Sequence, residues 1–207
     1  MSLSPYHHGD LRNALLEAAL AHIGHHREVS FTLRELAKAL GVSAAAPCRH
    51  FASKRARLAA LAEAGFALLS QRFAGLDALP DDNPVLRLQQ KGVAYVEFAV
   101  AHQAHFLAMN HPELMDKRDL PALEQACSAV FASMQRDVAA CAERGLLAPC
   151  GPAATTLTAW SAVHGLALLL IDGQLQELGV GSSVEAARLA AETVTAVCGF
   201  GFLQHSP

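Results

Sequence analysis

Apolar residues recur along this chain at spacings of three and four, the signature of helices that each bury one face. Leu11, Leu15, Ala19 and Ile23 form the first stripe, with Asp10 in the capping position. Thr32, with Glu35 three residues on, predicts a capped second helix whose inward face is Leu33, Leu36, Ala37 and Leu40. Gly41 predicts its end, because helices commonly close on a residue in the left-handed conformation. Ser43 then caps a short third helix over 44–50, Phe51 closes it, and Ser53 opens a long fourth one through Ala59, Leu61, Phe66, Leu69 and Phe73. "LDALPDDNP", residues 76–84, reads as a loop; further helices are expected at 85–108, 120–144, 153–178 and 184–202. No strand-like alternation and no internal repeat breaks the series, so the fold class is all-α.

The third helix is the odd one. Ala44, Ala45 and Ala46 stand at its start, Pro47 follows, and cations surround it. Helix, glycine turn and short helix together describe a helix-turn-helix, whose second helix enters the DNA major groove. Small side chains there permit close approach to base edges and thymine methyls. Cations and the hydroxyls at helix starts can bond phosphates. Pro47 removes a backbone donor, which is tolerable near a first turn. Charge changes the picture in the same direction. Residues 1–57 hold eight Lys/Arg against four Asp/Glu (+4), and the remainder eight against fifteen (−7), within a net charge of −3. The expectation is a module for a polyanion on a body that avoids one. The competing reading makes Arg34 and Lys38 a solvated helix face, and Arg55 and Arg57 fit that description best.

Length and composition add boundaries. The 207 residues suit one domain with a full core, or a small module plus a larger one. An apolar content of 52 % asks for a second buried surface, such as a subunit interface. The longest aliphatic run, Leu166 to Ile171, is far short of the ~18 residues of a membrane span. "MSLSPYHHGDLR" has no apolar stretch of the secretory kind, so a cytoplasmic protein without membrane association is expected. Five cysteines (48, 127, 141, 150 and 198) without a C-x-x-C pair argue for reduced core thiols over disulfides or structural zinc. His102 and His105 share a helix face, with His111 and His164 elsewhere, but no acid completes a ligand set and no H-E-x-x-H occurs. No nucleophile elbow, P-loop or dinucleotide fingerprint appears either. Neither an enzyme nor a bound cofactor or metal is expected.

Groove-reading helices usually work in pairs with half-sites about 34 Å apart, so the body should form a homodimer on a palindromic site. Leu157, Ser161, His164, Leu168, Ile171 and Leu175 alternate spacings of four and three, a heptad seam. Ala187, Ala191, Val194, Cys198 and Gly201 provide a second seam of small residues. The same periodicity would also arise from a seam packed inside its own monomer. Tyr95, Phe98, His102, Phe106, Met109, Met115, Phe131, Met134, Trp160 and His164 are bulky or amphipathic, the mixture that lines small-molecule sites. Such a lining suits a modest-sized, largely apolar effector.

"FTLRELAKALGVSAAAPCRHFASKRARLAALAEAGF", Phe31 to Phe66, resembles the N-terminal region of the TetR family of transcriptional regulators. "YHHGDLRNALLEAAL" before it and "WSAVHG", Trp160 to Gly165, fit a subgroup with a Trp-x-x-x-His-Gly signature. The resemblance implies a three-helix DNA-binding domain over 1–55, joined by a long helix to an effector-binding and dimerisation domain over 56–207. It implies that Thr32 contacts phosphate and that Arg34 reaches a base edge or phosphate. Ser43, Ala44 and Ala45 would face the groove, with Cys48, Arg49 and His50 on the recognition helix, and Lys54 would hold phosphate. Cys48 departs from the pattern, since relatives commonly carry Tyr there, and a hydroxyl contact to the backbone is lost. The family habit implies a repressor released from double-stranded operator DNA when a small molecule moves the DNA-binding heads. Two other readings stand beside it: a helical interaction protein whose helix-turn-helix binds no DNA, and, more distantly, a histidine-site metal enzyme.

Overall fold

The computed structural model describes residues 11–79, 82–147, 151–181 and 183–202. Its helices are α1 (Leu11–His26), α2 (Leu33–Ala39), α3 (Lys54–Asp77), α4 (Pro84–Ala101), α5 (Gln103–Met109), α6 (Pro121–Glu143), α7 (Gly151–Ile171) and α8 (Val184–Phe202). Among the described residues there is no β-strand, as the apolar periodicity predicts. The expected cap Asp10, and Cys150, lie outside the described residues.

The chain divides into two compact units, residues 1–65 with 104–124, and residues 66–103 with 125–207. The division differs from a simple cut at 55/56, because α5 and the start of α6 belong with the N-terminal helices. In the first unit, all four residues of the α1 stripe are buried. Leu15 and Ile23 are joined by Leu58 and Leu61 of α3 as fully buried side chains, each stabilising the fold by about 1.5–3 kcal/mol relative to exposure. Thr32 caps α2 in both directions: its hydroxyl oxygen accepts from the Glu35 amide at 3.2 Å, and its own amide donates to the Glu35 carboxylate at 2.7 Å. Those hydrogen bonds hold the Glu35 carboxyl below the usual range. At the other end Gly41 has φ +66°, and the amides of Gly41 and Val42 donate to the carbonyls of Lys38 and Ala37. This pair of bonds turns the chain sharply out of α2. Thr32→Ala is expected to cost about 1 kcal/mol, read as a lower denaturant midpoint at unchanged slope.

The expected third helix over 44–50 does not form as an α-helix. Residues 44 and 45 make a turn and Pro47–Arg49 a single 3₁₀ turn. Ala46, Arg49 and His50 donate to the carbonyls three residues back, at Ser43, Ala46 and Pro47. Proline supplies the reason: without an N–H, residue 47 cannot bond the Ser43 carbonyl, which accepts from Ala46 instead. Ala46, not Ser43, is the capping residue of that turn, and it makes no side-chain cap. Ser53 does cap α3, its hydroxyl accepting from the Ala56 amide at 3.0 Å.

Two further boundaries differ from the periodicity. The helix expected over 85–108 breaks at His102, which leaves helical dihedrals (φ −125°, ψ 47°) between α4 and α5. No glycine or proline announces that break. The helix expected through 178 ends at Ile171, where Gly173 takes φ +72°. In the second unit, α4 packs against α7 and α8, and α7 against α8. Gly92 marks the closest approach, since a Cβ there would lie 2.8 Å from Thr195 Cγ2.

Candidate functional site

Two regions gather the predicted residues. The first is the surface around the 3₁₀ turn. Ser43, Ala44, Ala45, Cys48 and Arg49 are exposed, His50 is half-buried, and Pro47 is buried beneath them. Arg34 and Lys38 of α2 are exposed as well. A face of small side chains flanked by cations is therefore turned outward from the helices of its own unit.

Thr32 and Lys54 are more committed than the sequence implies. The Thr32 hydroxyl donates to Glu35 at 2.9 Å, so its proton serves the cap. Lys54 Nζ pairs with Glu113 Oε1 at 2.7 Å, and that hydrogen bond holds the Glu113 carboxyl below its ordinary range. The pair is exposed and screened by water, so a phosphate can exchange for Glu113 at little cost.

Two cations expected on a solvated face are not there. Arg55 donates to the carbonyls of Glu113 and Asp116 and to the Asp119 carboxylate, tying the start of α3 to the segment before α6. Arg57 is 8 % exposed, with its guanidinium 5.9 Å from the Phe31 ring centroid and its Nε buried without a hydrogen bond. Burial lowers its pKa. Long aliphatic stems let both arginines pack where a count of charges places them in water.

The second region is a cavity of about 70 Å³ in the second unit. Tyr95, Phe131, Met134 and Trp160 of the predicted set line it. Trp160 sits between Phe131 and Tyr95, with ring centroids 4.7 and 5.0 Å away. His164 stacks on Trp160 at 5.2 Å and binds Tyr95 through Nδ1, at 2.8 Å from the phenol oxygen, without itself lining the cavity. Burial pushes the Tyr95 phenol far up and the His164 imidazole down. The phenol and the neutral imidazole therefore satisfy each other across this bond.

Five further predicted lining residues are elsewhere. Phe98 is fully buried in the core, its ring 5.1 Å from His102, and neither lines the cavity. Phe106 and Met109 fall in the first unit, because the break at His102 sends α5 against α3, where a Cβ on Gly65 would meet Met109 Sδ at 2.6 Å. Met115 is exposed.

The seam expected on the last helix also requires correction. Ala187 and Ala191 are fully buried inside the chain's own unit, while Val194 and Cys198 line the cavity. Ile171 on α7 is buried too. A stripe reports a face that packs, and α8 packs on α4 and α7 of its own unit, most closely against α4 at Gly92. The large apolar residues left outside are Leu157, Leu168 and Leu169 on α7 and Val184, Leu189 and Val197 on α8, with Ser161 exposed on α7. By length and composition α7 could cross a membrane, and only 33 % of its apolar window is buried.

Periodicity missed the polar floor of the cavity. Lys91 is 2 % exposed, and its Nζ donates to Asp137 Oδ2 at 2.6 Å and to the Ser133 carbonyl at 3.1 Å, and pairs with Asp77 Oδ1 at 2.6 Å. Arg87 Nε donates to the other Asp137 oxygen at 3.0 Å. The signal was present: Leu88, Lys91, Tyr95 and Phe98 keep helical spacing, as do Val130, Met134, Asp137 and Cys141, so each inward stripe carries one charge of opposite sign. Among the described residues, no group of three or more His, Cys, Asp or Glu is placed to hold a metal ion.

Residues 88–197 match the family model described as tetracyclin repressor-like, C-terminal domain. A solved protein of unknown function from Rhodococcus sp. RHA1 is 29 % identical, with a TM-score of 0.78 over 98 % of this chain and 100 % of that one. The TetR family transcriptional regulator PfmR from Thermus thermophilus is 17 % identical, with a TM-score of 0.68 over 88 % and 97 %. AibR, solved in complex with isovaleryl coenzyme A and operator DNA, is 16 % identical, with a TM-score of 0.63 over 78 % and 85 %. The last two likenesses are of fold. No curated protein matches the chain.

Proposed function

The chain belongs to the tetracycline-repressor-like (TetR) family, and on that premise we propose that it is a ligand-responsive DNA-binding transcriptional regulator, not an enzyme. In this reading it is a cytoplasmic repressor released from a palindromic operator by a small, largely apolar effector. Residues 1–55 would bind DNA, and residues 56–207 would take the effector and form the homodimer. The observation that carries the reading is the pairing of two features in one chain. An exposed small-residue face with cations beside it fits a groove, and an aromatic cavity within the family-matched region fits a small molecule. AibR supports it by analogy, as a protein of this fold solved with both kinds of partner.

Genomic fragments retained by the purified protein test the DNA half. Binding should weaken steeply with salt, with a logarithmic slope of about −0.9 per neutralised phosphate. Salt-insensitive retention, or none, overturns it.

The dimer should form on the apolar residues that α7 and α8 leave outside. Leu157 is 65 % and Val197 66 % exposed, and a face of this kind on a regulator is covered by a second copy. Leu157→Asp or Val197→Asp is expected to halve the mass seen by light scattering while leaving the helical spectrum intact. Ala191→Asp should instead lower the melting temperature, since it places a charge inside the monomer. Dimers from both surface variants would place the interface elsewhere.

A further inference from the structure

The cavity's chemistry is narrower than "largely apolar", and the narrowing comes from where its protons already go. Lys91 is the cation among the lining residues, and its three N–H bonds are met by Asp137, Asp77 and the Ser133 carbonyl. The Tyr95 hydroxyl is hydrogen-bonded to His164 Nδ1. The Thr155 hydroxyl donates to the Gly151 carbonyl at 3.0 Å, and the Thr195 hydroxyl to the Ala191 carbonyl at 2.8 Å. The two threonine protons and the Tyr95–His164 pair are therefore engaged within the protein, while the Trp160 indole N–H remains a lining donor beside the Gln89 amide. Thr195 Oγ1, with its proton given away, presents lone pairs, and the Gln89 amide is the lining group that can both give and accept.

We infer that the cavity takes an uncharged molecule, mainly hydrocarbon or aromatic, whose polar group donates a hydrogen bond, and that it rejects the carboxylate of the same skeleton. This rests on the effector reading above and specifies it. A buried carboxylate needs a cation or several donors: Lys91 is committed, and the Gln89 amide and Trp160 indole N–H are neutral donors that leave its charge uncompensated, which is heavily penalised in an apolar site. Prising Lys91 away to meet it would leave buried Asp137 with Arg87 as its remaining cation. An ether is penalised less, because it merely fails to use the acceptor it faces. The room available is that of several waters, so a single small ring is the natural size, with Met134 as the flexible wall.

The protein supplies its own reporter. Trp160 is the chain's single tryptophan, and it lines the cavity. Full-length protein at pH 8 is titrated with 4-methylphenol, 4-methylanisole and 4-methylbenzoate, and Trp160 emission is followed with excitation at 295 nm. The phenol should give a saturable change. The ether should bind about tenfold more weakly and the carboxylate at least ~100-fold more weakly. Gln89→Leu should narrow the gap between phenol and ether without admitting the carboxylate. A carboxylate that saturates at phenol-like concentrations, an ether equal to the phenol, or no response to the phenol overturns the inference. A parallel DNA-binding measurement keeps the two claims apart. Phenol that changes Trp160 but leaves DNA affinity untouched refutes the effector reading and leaves the selectivity standing. Carboxylate that binds and releases DNA does the reverse.

Discussion

Asp137→Ala is expected to destabilise the protein by about 3–5 kcal/mol, the largest single-site effect outside the surface proposed to face DNA. The substitution removes the acceptor of two cations at once. Lys91 keeps Asp77 but loses its best-buried partner, and Arg87 Nε loses its acceptor in a half-buried position. The cost comes from stranding charge in a low dielectric more than from any attraction lost. That origin makes a second measurement decisive. Lys91→Met combined with Asp137→Leu removes both buried charges, leaving Asp77 and Arg87 with access to water, and should lose less stability than Asp137→Ala alone. Urea midpoints of the three proteins check it, and a double variant worse than the single one would sink the argument. Asp77 adds a pH signature. Burial alone would raise its carboxyl, yet hydrogen bonds from Lys91 and Ser133 and the charges of Lys91 and Arg136 hold it below the ordinary aspartate value of 3.8. A depressed folded pKa contributes stability that is complete above the unfolded value and disappears as pH falls through the folded one. Acid unfolding should thus begin below the ordinary aspartate range, and Lys91→Met should move its onset upward.

What the sequence made legible follows from what periodicity measures. The α1 stripe, the Thr32–Glu35 cap, the turn at Gly41 and the start of α3 at Ser53 are local devices, encoded within four residues of where they act. Each was readable and each is present. The failures are of a different kind. Pro47 was visible, but how far one missing N–H converts a helix to a 3₁₀ turn depends on the buried packing of Pro47 itself. Ala187 and Ala191 showed a packing face, and periodicity carries no information about which surface meets it. The break at His102 has no local signal, and it alone moves Phe106 and Met109 from the expected cavity to another unit. The Lys91–Asp137 pair was hidden by habit. A charged residue in an apolar stripe reads as an interruption until the complementary stripe is found 46 residues away.

Arg49→Ala should weaken binding to a selected genomic fragment by about 10–100-fold, and the salt dependence will say what the guanidinium touches. Arg49 is exposed at the end of the 3₁₀ turn, beside Cys48, and none of the ion pairs found among the described residues of the first unit involves it. Unlike Lys54, it has no carboxylate to give up before meeting DNA. Should it grip phosphate, the variant's logarithmic salt slope drops by about 0.9 and the loss is uniform across sequences. Should it read a base, the slope is unchanged and the loss is confined to one position of the site. Ala45→Glu sets the scale for the whole face. It puts a longer, negative side chain where contact requires a methyl, so repulsion from phosphates and lost approach act together, and binding should fall beyond measurement at physiological salt while the melting temperature stays put. Wild-type affinity in that variant would mean the alanine face never enters a groove. A loss matched by a lower melting temperature would place Ala45 in the fold instead of the interface.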